Sequence, residues 1–353
     1  MILVARAPFC LTFGGKGTDA PDYVRRCGGL MLNATIGFYM YSIISPDANQ
    51  GVQIVSSDYR LLSHRPIRED LIGEDELSLP RAITYYFNIR DGITIFLASQ
   101  IPPENGMGFS GSMTAALIKG LAFWSGLDLG PTEVAELADT IIGDKLKLWG
   151  NRHIHHAIAF GGFNYIRLSK GSIEVVPLRL SPPALQILDQ GVLLFSLGRS
   201  FPPSGFKLPA TRSQIGREAF PHLHAIKGLA QEMGDALVRA DLAALGHLLN
   251  RSWSEERALM PEALLPWIDH CYEVARRNGA SGGRATWGKE GGFLLLCCSP
   301  EHRETLITAL QDVGLVHYAF KFVQQGVEVL PWMESLLLQG WPRQAFATQD
   351  IVG

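Results

Sequence analysis

The stretch PPENGMGFSGSMTAALIKG, residues 102–120, sets closely spaced glycines (Gly106, Gly108, Gly111) directly before a helical pattern. A helix N-terminus presents unpaired backbone N–H groups and the positive end of its dipole, and together these hold phosphate. The glycines permit close backbone approach, and Ser110 or Ser112 can reach a magnesium ion or a phosphate oxygen. Asn105, Gly106, Met107, Gly108, Ser110, Gly111 and Ser112 are therefore a candidate phosphate cradle. No Lys-Ser/Thr pair follows, so this is not a P-loop. Glu104 also places a carboxylate where a phosphate site should avoid one. Taken alone, the stretch reads equally well as a cradle and as a plain strand-to-helix turn.

The rest of the chain narrows the class of protein. Its 353 residues exceed a usual single core, and 47% hydrophobic with 18% charged residues is ordinary globular composition. A formal net charge of -3 and scattered Lys and Arg give no field for polyanions, so no nucleic-acid partner is expected. Five cysteines form no CxxC spacing, and Cys297-Cys298 sit in an apolar run, which argues for thiols in a reducing compartment and against a thiolate zinc site. The opening MILVARAPF is too short for a signal peptide and no apolar run reaches spanning length, so a cytoplasmic protein without a membrane partner is expected. A homodimer is compatible with the sequence.

Residues 1 to about 60 alternate apolar runs with glycine turns, as strands and hairpins do. Within them APDYVRRCGG reads as a short helix, capped by Asp19, opened by Pro21 and ended by Gly28. A helix and strand follow over residues 81–100, then the glycine loop with its helix, and a second helix from Pro131 to roughly Lys147 with an incomplete capping box at Thr132. Strands are expected at FGGFNYIRLS, SIEVVPLRL and GVLLFSLG. Residues 209–278 are helical by periodicity, with Leu237, Leu242, Leu245, Leu248 and Leu249 on one stripe. FLLLCCSP reads as a strand, EHRETLITALQDVG as a helix, and YAFKFVQQGVEVL as a closing strand pair. This order is α+β, with lobes at 1–180 and 181–353.

The N-terminal RAPFCLTFGGKGTDAPDYVRRCGGLMLNATIGFYMY resembles the sugar-binding opening of the GHMP small-molecule kinases, in particular their D-glycero-D-manno-heptose 7-phosphate kinase branch. Pro102–Ser112 is similar to that family's second motif, PxGSGLGSSS, and 287–293 (WGKEGGF) to its third, a glycine-rich turn. The matches run in order through essentially the whole chain. The resemblance implies a two-lobed α+β fold with a left-handed β-α-β crossover. It implies ATP phosphates along the second motif and Gly291, and a sugar phosphate held by Gly17, Thr18, Asp19, Asn33 and Thr35. Mg2+ would then be held by Ser110, with Asp144 as the nearest carboxylate and Asp139 the next.

The departures fall on the chemistry. Cys10 stands where the family carries a cation near the transferring phosphoryl group. Counting back from Phe160 puts Ile154 at the family's catalytic Asp, with His153 and His155 one residue to either side. Glu104, Phe109, Trp287 and Lys289 replace small residues of the loops. His153 or His155 can act as base and Lys16 or Arg152 as cation, since phosphoryl transfer rests mainly on positioning and charge neutralisation. The His153-Ile154-His155-His156 run also reads as a partly buried, hydrogen-bonded cluster on a strand or loop, or less readily as metal ligands, with no carboxylate cluster nearby. The SEERA charges read as a solvated helix face, with Arg257 and Arg199 as candidate phosphate contacts. Three functions fit: an ATP-dependent kinase of the anomeric hydroxyl of a heptose 7-phosphate or similar sugar, a non-catalytic sugar- or nucleotide-binding descendant, and an enzyme of another class reusing the pocket. The kinase is the expected one.

Overall fold

The computed structural model describes residues 2–48, 51–65, 75–89, 92–103, 106–145, 152–197, 216–259, 265–287 and 291–331, excepting the side chains of Arg65, Asp144, Lys145 and Leu265. Glu104, Asn105, Arg199 and Lys289, singled out above, lie outside them, as does the side chain of Asp144.

The long strand β2 (Gly29–Pro46) organises the first sheet, because it is long enough to serve different neighbours along its length. β1 (Leu3–Gly14) pairs antiparallel along nearly all of it. On its other edge, the first half of β2 takes β6 (Phe163–Ser169) and its second half takes β5 (Ile93–Ser99). The order β12-β1-β2-β5-β3-β4 is completed by β3 (Val52–Ser56), β4 (Leu61–Arg65) and β12 (Glu328–Leu330), and β7 (Ser172–Pro177) hangs on β6. β3 and β5 are parallel, and the chain between them passes through β4 and α2 (Ser78–Tyr86), the crossover unit. A second sheet runs β11-β8-β10-β9, from Val316–His317, Val192–Ser196, Gly292–Cys298 and Ala280–Trp287 respectively.

The apolar run FLLLCC is explained by burial on both faces of β10. Phe293, Leu295 and Cys297 join the main core, while Leu294, Leu296 and Cys298 face a second core with Ile268, Cys271 and Leu306. The latter residues come from α9 (Leu265–Arg277) and α10 (Arg303–Asp312). The helices α7 (Phe220–Val238) and α8 (Leu242–Arg257) carry the leucine stripe, which is buried except for a half-buried Leu242.

Several local expectations are corrected. α1 (Pro21–Cys27) is capped by Ala20, not Asp19, and no side chain takes part; Gly28 ends it at φ 66°. The second helix, α4 (Pro131–Thr140), stops before Lys147 in a wider turn over Ile141–Lys145, and its N-terminus is closed by Glu133, which accepts from the Gly130 N–H at 2.7 Å. The closing segment is not a strand pair: it contributes β12 and a single bridge from Phe322 to Ile36. It crosses the two glycines of AFGGF, where Gly161 and Gly162 both have φ 71° and a Cβ on Gly161 would meet the Gly326 nitrogen at 2.2 Å. β12, late in the chain, lies in the first sheet, and the main core draws on both sheets.

Candidate active site

Three segments converge: the turn after β1, the start of α3 (Phe109–Trp124), and the first turn of α5 (Arg152–Phe160). The turn is built from Gly15 (φ 88°) and Gly17 (φ 90°), with Thr18 N–H donating to Gly15 O at 2.9 Å and Ala20 N–H to Gly17 O at 3.1 Å. A Cβ on Gly15 would lie 1.8 Å from the Leu30 carbonyl oxygen, so only glycine allows the turn to close on β2. Thr18 is buried and its hydroxyl both donates to Leu30 O (3.0 Å) and accepts from Leu30 N–H (3.1 Å). Thr35 is occupied in the same way, by Val323 O and Gly162 N–H. These two threonines shape the site through its backbone.

The His153–His156 run is helical, not strand or loop, because α5 begins at Arg152 and carries it inward. Two separate carboxylates, Asp19 and Asp139, stand beside it. His153 Nδ1 lies 3.2 Å from Asp19 Oδ2, with both side chains almost wholly buried. The contact is out of line for a hydrogen bond, and Nδ1 has no hydrogen-bond partner among the described residues. On the far side of the helix, Asp139 accepts from three donors: Arg152 Nε at 2.8 Å, His155 Nδ1 at 2.7 Å and His156 Nε2 at 3.3 Å. Burial opposes the charge on Asp139, but the two imidazoles and the guanidinium outweigh it and hold the carboxyl below the usual carboxylate range.

Ile154, between these histidines, faces α3. Its Cγ2 would stand 3.0 Å from a Cβ on Gly108 and 2.7 Å from one on Gly111. The helix α3 starts from Gly108, which is left-handed at φ 86°, and Ser110 is exposed in its first turn. Ser112 is buried and donates to Pro8 O at 2.9 Å, so it anchors the helix to β1. The Met107 carbonyl accepts from Cys10 N–H at 3.4 Å, tying the loop to the same strand. Gly106 (φ 84°) packs against the Trp287 backbone, 2.6 Å from its carbonyl to a built Cβ. Gly291 is half-buried at the entry to β10.

The other candidates are placed as follows. Lys16 sets its ammonium 3.2 Å from the centroid of the Trp287 ring, a cation–π contact that fastens the turn to β9. Burial pushes the Cys10 thiol up to about 12, which keeps it protonated and unfit as a nucleophile. Asn33 is fully buried; its Oδ1 accepts from Thr12 Oγ1 at 2.9 Å, and its Nδ2 has no partner among the described residues. The SEERA segment is not uniformly solvated. Glu256 is buried against Arg284 at 2.8 Å, and Arg257 pairs with Asp269, which commits it to structure.

The glycine-led start of α3 with exposed Ser110 fits a phosphate chain, and the orphaned His153 Nδ1 and Asn33 Nδ2 fit a ligand rich in hydroxyl groups. Magnesium is fitted less well. Asp139 is committed to three donors, and among the described residues no group of three His, Cys, Asp or Glu is placed to hold a metal ion.

Known proteins share this fold. Residues 78–147 match the GHMP kinases N terminal domain. The chain is 27% identical over 331 residues to the D-glycero-alpha-D-manno-heptose 7-phosphate kinase of Campylobacter jejuni, covering 92% of this chain and 97% of that one. It superposes on a D-glycero-D-manno-heptose 1-phosphate kinase from Bacteriodes thetaiotaomicron with a TM-score of 0.76 at 23% identity, over 94% and 99% of the two chains. The Lactococcus lactis galactokinase shares the fold at a TM-score of 0.67, 15% identity and 93% coverage of this chain. The chain is similar to the GHMP kinase superfamily, through this family match and through relatives that span nearly its whole length. Within it, its similarity runs along nearly the full length of a heptose 7-phosphate kinase. No described helix is long and apolar enough to cross a membrane.

Sequence reasoning found the three segments but missed their wiring. Asp139 reads from sequence only as a second magnesium carboxylate, yet it follows Val134, Ala135 and Ala138 on the buried stripe of α4, and an acid on such a stripe needs donors. The Lys16–Trp287 contact had no comparable signal, because it joins residues far apart in the chain.

Proposed function

We propose that the protein is an ATP-dependent kinase of a sugar phosphate, with the anomeric hydroxyl of a heptose 7-phosphate or a close analogue as acceptor. The observation that carries this reading is the first turn of α5, which touches both halves of the site: His153 meets Asp19 and Ile154 meets Gly108 and Gly111. The turn from Gly17 to Asp19 and Asn33 bind the sugar, with Thr18 and Thr35 shaping its floor. ATP, when bound, supplies the phosphoryl group, and the start of α3 with Gly106, Gly108, Ser110 and Gly111 receives its phosphates. The Asp19–His153 pair takes the proton of the acceptor hydroxyl, the carboxylate balancing the imidazolium that results. Of the two candidate histidines, His153 suits this role better, since His155 Nδ1 is held by Asp139. Lys16 supplies positive charge from the turn.

The test is phosphorus NMR of the protein with ATP, magnesium and a panel of sugar 7-phosphates. A new anomeric phosphate signal is expected, abolished in Asp19→Ala. Tight sugar-phosphate binding by calorimetry with no transfer would replace the kinase with a sugar-binding protein. A changed sugar without ATP consumption would indicate another class of enzyme.

A further inference from the structure

Three donors from the start of one helix end on one carboxylate, and the direction in which that start points decides the site. Arg152, His155 and His156 belong to the first turn and a half of α5, and Asp139 belongs to α4. A buried carboxylate has about four acceptor sites. Here Oδ1 is given to His155, and Oδ2 to Arg152 and His156 together. Rotating α5 about its axis would break all three bonds at once and leave a buried charge without partners, a costly outcome. The same rotation would carry His153 away from Asp19 and Ile154 away from Gly108 and Gly111, because successive residues on a helix are fixed about 100° apart by its 3.6-residue turn.

We infer that Asp139 is a positioning residue of the transfer site, which sets the rotation of α5 so that His153 faces Asp19. Its hydrogen bonds among the described residues all go to α5, so it acts through the helix. It also decides proton placement at two rings. An imidazole nitrogen bonded to a carboxylate carries its hydrogen there, so His155 is protonated at Nδ1 and His156 at Nε2. His155 then presents its opposite edge toward α3, with Cδ2 3.6 Å from where a Gly111 Cβ would stand. This inference rests on the kinase reading for its catalytic meaning, but the geometric claim is testable without any activity.

The experiment compares wild type with Asp139→Asn and Arg152→Gln by long-range proton–nitrogen NMR of histidine rings, assigned through the single histidine variants. The Asn variant is expected to stay folded by circular dichroism, to lose the Nδ1–H signature of His155, and to shift the His153 ring signals. Asp19→Asn, which touches His153 directly, should shift the same signals. Arg152→Gln removes one donor of three from a half-exposed side chain, so it should give a smaller shift in the same direction; it also serves if Asp139→Asn does not fold. In the kinase assay Asp139→Asn should lower kcat at least tenfold with the thermal midpoint of Arg152→Gln and wild type nearly equal. His153 signals that stay in place in both variants, with His155 altered, would overturn the positioning role. A wild type with no transferase activity but with coupled ring shifts would overturn the kinase reading and leave the positioning role standing.

Discussion

His153 and Asp19 face one another across 3.2 Å, one from the start of α5 and the other from a turn held by two left-handed glycines. Neither side chain is more than 7% exposed, so water contributes little to either group. A buried imidazole nitrogen without a hydrogen-bond partner is a cost that a ligand can remove. His153→Gln is expected to lower kcat by about 10²-fold while leaving sugar affinity within a few fold, in the range of a lost general base. Asp19→Ala should instead abolish detectable binding in calorimetry. If both variants lose affinity alike and keep residual turnover, the two residues form one binding unit without a proton-transfer role.

Gly111 is the tightest point between α5 and α3. A methyl group there would meet Ile154 Cγ2 at 2.7 Å, closer than packed carbons tolerate. Gly111→Ala should therefore cost about 1–3 kcal/mol by denaturant titration, the usual range for overpacking a filled interior. Adding Ile154→Ala removes the obstructing branch and should recover most of that loss. Nucleotide affinity should follow the same order, falling in the single variant and returning in the double. Full recovery of stability without recovery of affinity would show that Ile154 itself lines the nucleotide path.

What the sequence disclosed divides along distance in the chain. The turn at Gly15–Asp19, the helix start at Gly108 and the strand FLLLCC were legible because each is a local signal of backbone need or burial. The Asp19 cap was misread because the Asp-Ala-Pro order also suits a ligand-facing residue one step before the cap. The strand reading of the histidine run failed because four residues are too few to separate periods of 2 and 3.6, and the helix continues into AIAF. The partners of Asp139 and Lys16, and the Arg284 partner of Glu256, come from other elements, and no spacing rule reaches across folds of that length.

Asp58 gives a pH test independent of the active site. It stands in the turn after β3, where Ser99 N–H donates to Oδ1 at 3.2 Å and Oδ2 has no partner among the described residues. Burial is the main cause that pushes its carboxyl up to about 6, against 3.8 ordinarily. The folded state thus binds the proton more tightly than the unfolded chain. The associated stability is fully present below pH 3.8 and is lost as pH rises through about 6. Asp58→Asn should remove that loss, gaining on the order of 2 kcal/mol over wild type at pH 7 and much less at pH 4. Urea titrations at the two pH values measure the difference, and an equal gain at both would assign it to packing.

Arg284 and Glu256 form a fully buried ion pair that also fastens the second sheet to the first. Arg284 on β9 donates to the Thr12 carbonyl of β1 and to Glu256 of α8, and Ser252 donates to Glu256 at 3.0 Å. Breaking such a pair from one side leaves an uncompensated charge in a dry interior, so Glu256→Gln or Arg284→Met should cost about 3–5 kcal/mol. Replacing both by apolar residues, Arg284→Met with Glu256→Leu, removes two desolvated charges together and should cost clearly less than the sum. The Thr12 carbonyl would still lose its donor, and Thr12 orients Asn33, so sugar-phosphate affinity should fall in the double variant even where the denaturation midpoint recovers. Midpoint and affinity recovering together would show that the pair contributes stability alone and does not reach the sugar site through Thr12.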